Sequence, residues 1–531
     1  MRIAGFVVVA YLLSVSLVGL YLSRRQKTTE QYFLGNRGFP WWAVAFSLIG
    51  SIIGSTTFIG HPGEVFRTNM WNMPLHLMLI PVMIFVARYV VVFYRRTLKM
   101  SVYGYLEKRF GYGARVYGGM AFIISRIVDI SGTLYFLAVA VGLLTGWEMR
   151  TVIIVIGALT VLYTYLGGIT AVVWTDVVQG VVLIGSAVAC VVYVLVAPEA
   201  TAGELVSTAW EGGKFSWGNW RFSWVEDNVW VLMILGIVWA LQRYATDQHM
   251  VQRYLIARTD REAQRAAYIG GMAALPIWAL FWIFGALLWA HYQLAPGLPP
   301  EVVENQTRVV PYFVQTELAS SVLGLIVAGL VAAAVSSLDS DINSVATVVV
   351  EDYYERLRPE ATNRQALRVG KMVVLVVGAL CVFAALQWIG VQSAIGFMFD
   401  LISVASAGVL GLFVLGIFFR RATVRGAWVG IAVCVVFTAW ATFTSVELPA
   451  LGRTLLDLGS ANYDLNPKLI GVFSSLLLLG VGLPASILLG GGRRESEKLT
   501  IWSLIHGRGE PVGAWSEPGR AGAPAKVEVV E

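Results

Sequence analysis

The chain has 531 residues, of which 57% are hydrophobic and only 14% charged, and its mean hydropathy is +0.69. Soluble domains carry about 25% charged residues, so this composition excludes a soluble fold, while 12% aromatics and three cysteines exclude disordered, collagen-like and disulfide-scaffold classes. The net charge of +6 comes without a basic stripe interleaved with aromatics, which excludes a nucleic-acid surface.

A bilayer-spanning helix needs about 20 mostly apolar residues. In chain order the sequence offers thirteen such spans, at 4–23, 40–60, 72–94, 116–146, 150–166, 170–197, 229–246, 266–292, 317–350, 371–389, 394–419, 426–446 and 469–490. The alternating segments of about ten residues that a β-barrel requires do not occur. The expected architecture is therefore an all-α polytopic membrane protein. Span 4–23 has the apolar character of a signal peptide, but Arg24, Arg25 and Lys27 follow it without a small-residue cleavage site, so it reads as a retained helix. Cys190, Cys381 and Cys434 lie in apolar runs and form no redox framework. Residues 1–491 read as one membrane domain with its core at about 40–420, and 492–531, rich in Gly, Pro and Glu, as a disordered tail.

Orientation follows from the bias of Lys and Arg toward cytoplasmic loops. Placing the N-terminus outside and the C-terminus in the cytoplasm puts 29 of the 39 Lys and Arg on the cytoplasmic side. The expected location is thus the plasma (inner) membrane, with the positive charge acting as a topology signal.

Ionisable groups inside the hydrocarbon are costly and mark functional sites. Those within spans are Asp129, Asp176, Asp339, Asp341 and Asp400, with His76, Arg88 and Arg126. Asp247 and Asp352 lie near the inner boundary and read as solvated helix ends. Three elements concentrate the polar chemistry. In span 40–60, Gly50, Ser51, Gly54, Ser55, Thr56 and Thr57 crowd the middle of the membrane. Such a run fits an interrupted helix whose freed carbonyls hold a cation, and equally close helix packing through small residues. In Tyr163 to Gly180, Gly167 and Gly168 form a cytoplasmic turn, Trp174 suits an interfacial anchor, and Asp176 requires a partner, either a cation or the Ser/Asp cluster, unless it is a simple helix N-terminal charge. In Ala332 to Tyr354, Ser336, Asp339, Ser340 and Asn343 share a helix face beside a second polar face of Ser337, Asp341 and Ser344. Two carboxylates among hydroxyls, flanked by alanines, suit ligation of a hard cation better than packing. No HExxH, P-loop or GxSxG motif occurs, and the five histidines do not pair at metal-ligand spacing, so no enzyme is indicated.

These blocks carry a resemblance. GGITAVVWTDVVQG, AAAVSSLDSDINSVATVVVEDYY, DQHMVQRYLIARTDREAQRAA, FLGNRGFPWWAVAFSLIGS and GLFVLGIFFRRATVRGAWVG, spread over residues 32–430, resemble the sodium/solute symporter family. The resemblance implies a five-plus-five inverted-repeat core with one extra N-terminal and two extra C-terminal helices, a LeuT-like fold, and sodium as the coupling ion. It implies a main sodium site of carbonyls from Gly50, Ile53 and Ala333 and hydroxyls of Ser336 and Ser337, and a second cation site drawing on Asp176, Asp339 and Ser340 with Ser336. Asp339 stands where some relatives have Ser, which leaves a second sodium and a proton both open. The sugar-carrying branch's lysine, glutamate and glutamines fall at Ala274, His76 and near Gly396 and Phe399, so its substrate pattern is not kept. The acid-carrying branch's arginine falls close to Asp129, with Arg126 one turn away. The expected solute is a small polar organic molecule, preferably a sugar or polyol seated by Thr57, His76, Asp129 and Phe399. A monocarboxylate is the alternative and needs Arg126 to point inward; a transporter-like sensor is a third class. The expected partners are the solute, sodium and the lipid bilayer, with no nucleic acid or protein partner.

Overall fold

A computed structural model gives the fold. It describes most of the chain from residue 28 to residue 502, with breaks at 197–199, 296, 305–307, 319, most of 390–406, 449–452 and 491–498, and isolated positions before residue 22. Helices dominate; the described extended structure includes a two-residue antiparallel ladder, β1 (Glu447–Leu448) with β2 (Arg453–Thr454).

The main helices, in chain order, are α1 (Trp41–Ile52), α2 (Thr56–Arg67), α3 (Met73–Thr97), α4 (Tyr103–Phe110), α5 (Tyr112–Thr145), α6 (Met149–Val196), α7 (Val229–Thr246), α8 (Gln248–Ile256), α9 (Asp260–Leu294), α10 (Leu323–Leu357), α11 (Asn363–Leu386), α12 (Val409–Phe418), α13 (Val424–Ser445) and α14 (Pro467–Leu489). Among the described residues nine helices are long and apolar enough to cross a membrane, and the α1–α2 pair, bent by 55°, makes a tenth crossing. The expected first span and most of 394–419 fall outside the described residues, so thirteen is not the count observed. α6 covers two expected spans: it reverses at Gly168, whose φ of 54° and ψ of −164° only glycine adopts readily.

Side-chain caps set several helix starts. Asn228 accepts from the Val231 amide at the head of α7, Thr259 from Glu262 at α9, and Thr362 and Gln365 form a reciprocal box at α11. α5 and α10 lie at the centre, with 72% and 78% of their most apolar stretches buried, whereas α11, α13 and α14 reach only 33% and present apolar side chains outward. That is the inverse of a soluble core: the periphery is solvated by lipid, so burial marks the functional interior. α9 runs along both halves of the bent pair. A Cβ on Gly270 would meet the Ala45 carbonyl at 3.0 Å, and one on Gly285 would meet the Pro62 carbonyl at 2.5 Å, so backbone lies against backbone at both points.

Of the expected tail, residues 499–502 are described. Leu499 and Ile501 are buried, Tyr105 donates to the Leu499 carbonyl, and the Trp502 indole donates to the Phe418 carbonyl. These four residues contact α4 and the end of α12; 492–498 and 503–531 lie outside the described residues.

Candidate functional site

The helix stops at Ile53, where ψ turns to 87°, and restarts at Thr56. The last four carbonyls of any helix have no intrahelical donor, so the break exposes the oxygens of Gly50 to Ile53 in the protein interior. α10 crosses there. Ser336 donates its hydroxyl to the Gly50 carbonyl at 2.5 Å, and Ser337 donates to the Ala333 carbonyl at 3.2 Å. A Cβ on Gly50 would stand 3.1 Å from the Ser336 Oγ, and one on Gly54 3.1 Å from the Ser337 Oγ, so the close approach depends on both glycines. All five residues expected around the main cation therefore sit on two facing segments, rich in oxygen and shielded from solvent.

A second polar cluster adjoins the first. Asp176 is fully buried; its Oδ2 accepts from Ser47 at 2.5 Å, and its Oδ1 has no hydrogen-bond partner. The group beside it is Arg253, which reads in sequence as a loop charge but is fully buried here. Its Nη2 donates to the Ser340 hydroxyl at 2.5 Å and lies 3.5 Å from Asp176 Oδ2, and its Nε donates to Ser47 at 3.0 Å. Asp176 thus finds a hydroxyl and a guanidinium. Asp339 is also fully buried and lies within electrostatic reach of Arg253.

Next to both lies a cavity of about 160 Å³ whose walls include Gly54, Thr57, Ser337 and Asp341. Its aromatic wall centres on His76, with ring centroids 4.3 Å from Trp278 and 5.7 Å from Trp239. The opposite wall is a charge network. Arg126 stands 2.7 Å from Asp129, 3.3 Å from Asp341 and 3.5 Å from Asp247. Arg243 stands 3.1 Å from Asp247 and 3.4 Å from Asp129, and His249 lies 2.5 Å from Asp341. Three carboxylates therefore face two guanidiniums. Both ion pairs of Asp129 use Oδ2, and its side chain is 20% exposed against 8% for Asp247 and 4% for Asp341.

The broken helix, the Ser-rich helix across it and the adjoining cavity thus form one interior site. The sodium:solute symporter family model matches residues 32–434. The chain belongs to the sodium:solute symporter family. Within that family it is 32% identical over 450 residues to the sodium/sialic acid symporter of Proteus mirabilis, covering 83% of this chain and 89% of the relative. It is 26% identical over 510 residues to the sodium/glucose cotransporter of Vibrio parahaemolyticus, covering 87% and 91%. A solved structure of a Na⁺-coupled sialic acid symporter, substrate-bound and outward-open, superimposes with a TM-score of 0.82 at 29% identity, covering 93% of this chain and 99% of that one. The protein is accordingly a sodium-coupled membrane symporter and not an enzyme, with sodium as its coupling ion.

The sequence expectations fare unevenly against this geometry. Thr57, His76 and Asp129 line one cavity, while Phe399 lies outside the described residues. Ala274 is buried away from the cavity, and Trp278, one turn along α9, takes the wall instead. Arg88 is exposed, its guanidinium over the Tyr89 ring, and belongs to no site. Asp247 and Asp352 are not solvated helix ends. Asp247 caps α8 through the His249 amide and joins the charge network, and Asp352 is buried between Ser101 at 2.7 Å and Arg115 at 2.5 Å. The partners come from elsewhere in the chain, Arg126 and Arg243 for Asp247 and Ser101 and Arg115 for Asp352, which hydropathy does not register. Arg253, Trp239 and Trp278 were missed; for Arg253 the signal was its place in the DQHMVQRYL block.

Proposed function

We propose that this symporter imports a neutral, polyhydroxylated solute, a sugar or polyol, together with sodium. The observation that carries the reading is the commitment of Arg126. It points into the cavity, as a carboxylate-binding role needs, but three acids already surround it. An incoming carboxylate would meet a site with excess negative charge. Hydroxyl groups can donate to Asp129 Oδ1, while a sugar ring stacks on the aromatic wall of His76 and Trp278. The second reading is an organic acid, a sugar acid included. It is favoured by Arg126 and Arg243 lying on the same wall and by the similarity to a sialic acid symporter.

In this reading external sodium binds Gly50, Ile53, Ala333, Ser336 and Ser337, ties α1 to α10 and shapes the adjoining cavity, and the loaded form opens inward. A second cation would use Asp176, Asp339 and Ser340. The core forms two inverted units, at 41–196 and 229–418, and the N-terminus lies outside with the C-terminus in the cytoplasm. One sodium crossing about 100 mV supplies roughly 2.3 kcal/mol, and a tenfold sodium ratio adds about 1.4 kcal/mol. Together these support roughly a 500-fold solute gradient.

The deciding experiment is uptake into proteoliposomes under an inward sodium gradient, with sugars and polyols, short carboxylates and sialic acid offered separately. Accumulation of a neutral sugar or polyol, abolished when the gradient is collapsed, is the expected result. Accumulation of acids alone, lost in Arg126→Gln, would replace it with the second reading.

A further inference from the structure

A cleft of about 420 Å³ lies away from the transport cavity, where the start of α1, the head of the second half of α6 and the segment after α8 converge. Its walls are Phe39, Trp42, Thr170 and Trp174, and Arg258 closes one side. No carboxylate lines it among the described residues. The two indoles stand edge to face at 5.7 Å and remain 40% and 39% exposed, which gives the cleft an apolar side open to the surroundings.

Arg258 is held in place without being neutralised. Its amide donates to the Phe39 carbonyl at 3.1 Å and its Nε to the Gly38 carbonyl at 2.9 Å, while Phe39 itself donates to Ile256. These bonds hold the guanidinium at the cleft, and its two Nη groups have no acceptor among the described residues. The cleft also sits where the chain passes between helix and basic loop, the depth at which tryptophans settle in a bilayer. A fixed guanidinium fork suits a phosphate, and basic pockets between helices at this depth suit anionic headgroups.

We propose that this cleft binds one anionic phospholipid, with its phosphate on the Nη groups of Arg258 and an acyl chain against Trp42 and Trp174. The occupant bridges two helix ends that lead inward to the cation clusters: α1 carries Gly50, and Trp174 lies two residues before Asp176. Lipid in this seam therefore touches both segments that form the sodium sites, without entering the transport cavity.

The test is native mass spectrometry of the purified full-length protein with phosphatidylglycerol or phosphatidylcholine added at equal concentration. The wild type should retain phosphatidylglycerol in preference, and Arg258→Gln should lower that preference about fivefold, the worth of one basic side chain at a charged surface. Arg258→Lys, which keeps the charge and loses the fork, should lose less than Arg258→Gln. The double variant Trp42→Ala/Trp174→Ala should weaken retention of both lipids. Equal retention of the two lipids by the wild type, an undiminished preference in Arg258→Gln, unchanged retention in the tryptophan variant, or displacement of the lipid by millimolar inorganic phosphate would each overturn the proposal.

Discussion

Arg253 donates to Ser340 at 2.5 Å while standing 3.5 Å from Asp176, so one guanidinium links α10 to the second half of α6. Removing one partner of a buried ion pair costs about 3–5 kcal/mol, because the other charge is left uncompensated. Arg253→Gln should therefore lower the thermal stability of the detergent-solubilised protein sharply. Adding Asp176→Asn should restore part of it. If the single variant melts with the wild type, the guanidinium is not compensating Asp176.

Ser337 tests the cluster at the helix break. Ser337→Ala removes one hydroxyl from the set around the break, the one that donates to the Ala333 carbonyl within α10. A lost hydrogen-bonding group of this kind costs about 1–3 kcal/mol, so the sodium concentration for half-maximal uptake should rise roughly tenfold. Unchanged sodium activation at normal expression would remove Ser337 from the ion site.

For solute recognition, Asp129→Asn keeps the shape of the side chain and removes its charge. Hydrogen bonds to charged groups contribute about 1.5–3 kcal/mol. Half-saturation by a neutral solute should then rise tenfold or more, with sodium activation little changed. A variant that binds solute as the wild type does would place Asp129 outside the contact surface.

The loop helix α4 supplies a pH test. Partial burial pushes the Glu107 carboxyl up, but hydrogen bonds from Arg115 and Arg356 outweigh it and hold the carboxyl below its ordinary value. A depressed folded-state value means that the unfolded chain binds the proton first as pH falls. The contribution of Glu107 is thus complete above its ordinary value of 4.5 and is lost as pH falls through its lower value in the folded state. Melting temperature measured across this acidic range should fall less steeply for Glu107→Gln than for the wild type. Parallel curves would show that the pairing contributes nothing.

Much of this was legible in the sequence because the lipid imposes a simple code. Long apolar runs mark the spans, and the glycines and hydroxyls from Gly50 to Thr57 fit an interrupted helix and close packing equally, a choice that the break at Ile53 decides. The polar faces of Ser336 and Ser337 were readable for the same reason, since oxygens in an apolar helix have few other uses. Arg253, Asp247 and Asp352 were not legible. Each lies at the edge of a span, where sequence shows a charge beside a loop and says nothing of whether that loop folds inward. The aromatic wall was hidden differently: in a chain this rich in tryptophan, Trp239 and Trp278 look like any lipid-facing residue until the partner helices are in place.

The glycine contacts of α9 have a mechanical consequence. Gly270 and Gly285 are spaced by about 22 Å of helix, and each presents bare backbone to a different half of the bent pair. At Gly285 the three atoms nearest to an added Cβ are all Pro62 backbone, whereas at Gly270 the Leu48 side chain also packs, with its Cβ at 3.0 Å. α9 therefore holds α1 and α2 at two separate close contacts, each of which depends on the absence of a side chain on α9. A single methyl group at either glycine would press the helices apart there.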